Sequence, residues 1–60
     1  MKKIDIRNCL YKVTYLDYLK CSAFVRVADD AILYTNATVD FVVLFAEGFC
    51  TAKNEDFYIE

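Results

Sequence analysis

The sequence predicts an α+β fold, a small antiparallel sheet with one short helix across a face. Three observations carry this. Residues 9–16 and 19–27 alternate between apolar and polar positions with a period of two, the pattern of half-buried strands. Residues 38–47 form a compact apolar stretch with a capping residue before it and Gly48 just after it, as a helix requires. The whole chain has a single Gly and no Pro in 60 residues, too few for the roughly four or five tight turns of an all-β chain. An all-β small barrel is the alternative, because Val39, Phe41, Val42, Val43 and Phe45 also favour sheet.

The first two strands are expected to form a hairpin spanning about 9–27. Cys9, Tyr11, Val13 and Tyr15 share one parity, and Leu19, Cys21, Ala23, Val25 and Val27 share another apolar series. If these two faces coincide, odd positions pair with odd positions, and the loop has an odd length. A three-residue loop at Asp17-Tyr18-Leu19 then pairs Tyr15 with Cys21, Val13 with Ala23, Tyr11 with Val25 and Cys9 with Val27. The other face pairs Thr14 with Ser22, Lys12 with Phe24, and Leu10 with Arg26. Leu19 fits poorly at the end of such a loop, where a residue tolerant of positive φ is preferred. Ile4 and Ile6 have the opposite parity, which predicts a bend near Arg7-Asn8.

Asp29-Asp30 supply turn or cap chemistry. Asn36 or Thr38 is expected to cap the helix, with Gly48 left-handed beyond its end and Phe49 folding back onto Phe45. Residues 49–53 and Phe57-Tyr58-Ile59 would add one or two short strands, separated by Asn54-Glu55-Asp56. At this length the chain reads as a single domain, 1–60.

Composition narrows the function. With no His, imidazole acid–base chemistry is unavailable. Cys9, Cys21 and Cys50 cannot by themselves complete a four-ligand zinc site, and their spacing offers no Cys-x-x-Cys pair. They read as small buried hydrophobes rather than redox groups. The acidic pairs Asp29-Asp30 and Glu55-Asp56 make good turns, whereas carboxylate catalysis needs two groups converging across a cleft. The expectation is therefore a non-enzymatic protein with no cofactor and no metal.

The longest apolar run, Phe41 to Ala46, is far short of the ~20 residues of a spanning helix. Asp5 and Arg7 break any signal-peptide core behind Met1-Lys2-Lys3. Three thiols suit a reducing compartment, so a cytoplasmic location is expected. Asn36-Ala37-Thr38 matches a glycosylation sequon by chance on this reading.

Two bulk features point to a partner. Hydrophobic residues make up 58% of the chain, yet a domain of this size hides only about 60% of its surface on folding. The surplus predicts an exposed apolar patch of the kind that marks a docking site. Charge is also unevenly distributed. Residues 1–28 carry six basic and two acidic residues, whereas residues 29–60 carry one basic and seven acidic. The acidic half would steer the protein onto a basic partner.

The function expected is a small protein-binding module, a regulator or inhibitor that acts by occupying a protein partner, of the sort phages and mobile elements encode. Self-association is expected as well. Tyr11, Tyr15, Tyr18, Phe57 and Tyr58 are the candidate anchors, with Asp40, Glu47, Glu55 and Asp56 as steering charges. The alternative is nucleic-acid binding through a basic hairpin face of Lys12, Lys20, Phe24 and Arg26, beside Lys2, Lys3 and Arg7. The net charge of −2 and the sequence pI near 4.9 oppose it.

Overall fold

The computed structural model describes residues 8–60. Lys2, Lys3 and Arg7, and the register of Ile4 and Ile6, lie outside this range. The described chain runs β1 (Tyr11–Leu16), β2 (Cys21–Arg26), β3 (Ala31–Asn36), α1 (Val39–Lys53) and β4 (Phe57–Ile59). It is an α+β domain with a four-stranded sheet in the order β3-β2-β1-β4. The sheet is open rather than closed into a barrel. It is also mixed rather than wholly antiparallel: β1–β2 and β2–β3 are antiparallel, while β4 runs parallel to β1. Two antiparallel neighbours can be joined by a tight turn, but a parallel pairing needs a crossover. Here α1 supplies the crossover, carrying the chain from one sheet edge to the other.

The expected hairpin forms, but its register differs by one residue. The loop has four residues, 17–20, and Leu16 pairs with Cys21. The N–H of Leu19 donates to the carbonyl of Leu16, and that of Lys20 to Asp17. Lys20 takes the left-handed conformation at φ 56°, the role for which Leu19 was ill suited. Odd positions of β1 therefore face even positions of β2: Tyr11 pairs with Arg26, Val13 with Phe24, and Tyr15 with Ser22.

The cause is that both faces of β2 are buried. It is an inner strand, and Ser22, Ala23, Phe24 and Val25 are all buried in succession. Alternation along such a strand does not mark a wet face and a dry one. The second hairpin repeats the device, with four loop residues (27–30) and Asp30 left-handed at φ 57°. A register shift beside Phe24/Val25 lets the consecutive residues Leu33 and Tyr34 both pack against the core.

The helix is longer than expected. Its core-facing positions Val42, Ala46 and Cys50 recur every four residues and are all buried, so packing carries it through Gly48 despite a cost of about 1 kcal/mol. Residues 49–53 are helix, not strand. Asn54, rather than Gly48, supplies the left-handed cap, and its N–H points to the carbonyls of Cys50 and Thr51. Thr38 is the N-cap residue without a side-chain cap bond, while the Asn36 Oδ1 accepts the Thr38 N–H at 2.9 Å. The core joins Tyr11, Val13 and Phe24 of the sheet to Val42, Ala46 and Cys50 of the helix. Fully burying side chains such as Phe24, Val13 and Val42 contributes about 1.5–3 kcal/mol each.

Candidate docking surface

At about 100° per residue, a helix places Phe41, Leu44, Phe45 and Gly48 on one stripe, turned away from Val42, Ala46 and Cys50. All four stripe residues are exposed, Phe41 to 56%, Leu44 to 62% and Phe45 to 37%. Thr51 and Ala52 continue the stripe toward the C-terminal end and are exposed as well. None of these six residues is charged. Asp40 and Glu47 lie two turns apart along one flank, both in solvent.

The stripe is anchored to the core through Phe45. Its ring stacks on Tyr34 with centroids 4.5 Å apart and planes at 7°. It also meets Phe24 edge-on and lies against Phe49. A side chain held this way loses little further freedom when a partner covers it.

Tyr15 and Tyr18 are exposed at the far end of the first hairpin. Tyr11 belongs to the core: its ring stacks on Phe24, and its hydroxyl donates to the Glu55 Oε1 at 2.9 Å. Burial, and then the adjoining Glu55 carboxylate, push the Tyr11 phenol up from its usual value. Phe57 is half-buried edge-on to Phe24, Tyr58 is half-buried, and Asp56 is exposed. The structure thus leaves Tyr15, Tyr18, Asp40, Glu47 and Asp56 accessible and draws Tyr11, Glu55 and Phe57 into packing.

Sequence reasoning missed Phe41, Leu44 and Phe45. The available signal was that residues 39–46 are apolar almost all round, more than a helix resting on one sheet can bury.

The four residues of the basic hairpin face do not assemble. Phe24 is fully buried on the helix side, while Lys12 pairs with Val25 on the opposite side of the sheet. Arg26 is held by Asp29 through a two-pronged contact, Nε–Oδ1 at 3.0 Å and Nη2–Oδ2 at 2.8 Å. The Arg26 bonds, with the Ala31 N–H next, hold the Asp29 carboxyl down at about 2. Lys20 lies in the first turn, its N–H donating to the Asp17 carbonyl.

The sheet side away from α1 carries a shallow groove of about 220 Å³ lined by Lys12, Thr14, Val25, Ile32 and Glu60, among others. Glu60 ties two of its polar groups together: the Thr14 hydroxyl donates to it at 2.7 Å, and the Lys12 ammonium lies 3.8 Å from the same carboxylate. Among the described residues, Cys9, Cys21 and Cys50 form no disulfide. Burial pushes the Cys50 thiol up, with Glu55, Asp56 and Cys9 adding to the rise, the reverse of what a nucleophilic thiolate needs. Among the described residues, no group of three or more Cys, Asp or Glu is placed to hold a metal ion, and no helix is long and apolar enough to cross a membrane.

Comparison with protein-family models, with curated proteins and with solved structures finds no match.

Proposed function

We propose that this protein is a small non-enzymatic binding module that regulates or inhibits a protein partner by occupying its surface. The observation that carries this reading is the uncharged Phe41–Leu44–Phe45 stripe, three large apolar side chains in solvent on one helix face. Aromatic residues pinned by a core behind them make effective anchors. Asp40 and Glu47 on the flank steer the approach toward a basic surface, raising the association rate more than the affinity. Tyr15 and Tyr18 offer a second contact at the hairpin tip. The three thiols suit a reducing cytoplasm.

The test is affinity capture from cells that make the protein, followed by reconstitution with the purified partner. Wild type forms a stoichiometric complex, and Leu44→Asp, at a position exposed enough to leave folding intact, loses it. Equal capture by both proteins, or a complex formed with single-stranded nucleic acid and dissolved steeply by salt, overturns the reading.

A further inference from the structure

We infer that the α1 stripe pairs with the same stripe of a second copy, the two helices running antiparallel about a two-fold axis. This inference rests on the reading of the stripe as a docking face and names one occupant of it. Its basis is the order of side-chain sizes. Phe41, Leu44 and Phe45 fill the N-terminal half of the stripe, and Gly48, Thr51 and Ala52 fill the C-terminal half. A two-fold interface must be self-complementary, each patch meeting itself reversed. Antiparallel pairing does this, setting the bulky half of each helix on the small half of its mate. Parallel pairing would set bulk against bulk and leave the small halves apart.

Gly48 lies near the middle of this seam. A Cβ built there meets nothing within 4 Å, so the bare backbone is open to an incoming ring. The antiparallel arrangement also aligns the helix dipoles favourably and keeps charge out of the seam itself, with Asp40 and Glu47 of both copies in solvent along one rim, a like-charge contact that weakens the pair at low salt.

The area sets the strength. Side chains of about 150–250 Å² with these exposed fractions present roughly 300 Å² per copy, so the three anchors alone bury about 600 Å² in the pair. The small half of each helix adds to this, bringing the contact near the ~1,000 Å² at which specific association begins. The dimer is accordingly weak and reversible, populated between about 10 μM and 1 mM.

Sedimentation equilibrium across that range tests it. Wild type moves from the 7.0 kDa monomer mass toward twice that value. Leu44→Asp stays monomeric, and Phe41→Ala weakens association about tenfold or more. Gly48→Gln separates packing from general stickiness: it melts at or above the wild-type temperature when dilute, yet fails to dimerise because the new side chain fills the seam. Wild type that remains monomeric at about 1 mM, or Gly48→Gln that dimerises like wild type, overturns the inference. Either result is distinguishable from failure of the proposed function, which is read from capture of a different protein by the same Leu44→Asp pair.

Discussion

Tyr34 lies flat against Phe45, ring centroids 4.5 Å apart, joining the edge strand β3 to the middle of α1. Phe45 therefore belongs to both the fold and the exposed stripe, whereas its neighbour Phe41 has no ring contact within the described residues. Phe45→Ala should lower stability by about 2 kcal/mol, less than the ~3–5 kcal/mol of a fully buried Phe because part of the ring is already in water. Phe41→Ala should stay within about 0.5 kcal/mol. Urea melts of the two variants, at dilute concentration, check the contrast.

Alkaline stability should hinge on Tyr11. Its phenol is raised above the usual 10.0 by burial and by Glu55, so the folded state favours the protonated form. Such a group contributes stability that is fully present below its unfolded value and is lost as pH rises through the higher folded value. Thermal melts should fall off above about pH 10 in wild type, and Tyr11→Phe should remove the part of that decline due to this phenol. A Tyr11→Phe curve parallel to wild type would contradict it.

At the acidic end the group to watch is Asp29. Its carboxyl drops from 3.8 to about 2 on folding, a depressed value held first by Arg26 and then by the Ala31 N–H. The stability it contributes is present above pH 3.8 and lost as pH falls through about 2. Asp29→Asn should flatten the melting profile over that window, because the amide no longer titrates. Melting temperatures of wild type and variant between pH 5 and pH 2 give the comparison.

The two turns invite a fourth experiment. Lys20 is left-handed at φ 56°, a conformation that costs a residue with a side chain roughly 1–2 kcal/mol. Lys20→Gly removes that strain at some expense in unfolded-chain entropy, so a net gain of up to about 1 kcal/mol in chemical denaturation is expected.

The α+β class, the first hairpin and the terminal strand were legible in local patterns: period-two alternation in 11–16 and the Phe57-Tyr58-Ile59 cluster. The register was not, because the apolar series Cys21, Ala23, Val25 reads as one dry face. Along β2 both faces are buried, and Phe24 belongs to the core despite its opposite parity. Strand β3 has no clean alternation to betray it, because the irregularity at Leu33 and Tyr34 interrupts the period, although Asp29-Asp30 mark the turn before it. Gly48 reads as a stop, since glycine so often ends helices, but the four-residue spacing of Val42, Ala46 and Cys50 runs on beyond it and Asn54 serves instead. The surplus of apolar residues predicted an exposed patch, and its address came only with the helix phase. Two neighbours in sequence, Phe41 and Val42, separate into water and core by one step of rotation.

The parallel pairing of β4 with β1 orders events in time. Each hairpin closes over a four-residue loop, whereas β4 must find β1 across the whole of β2, β3 and α1. Docking of the C-terminal strand is accordingly expected to be the slow step of folding, since its loop is the costliest to close.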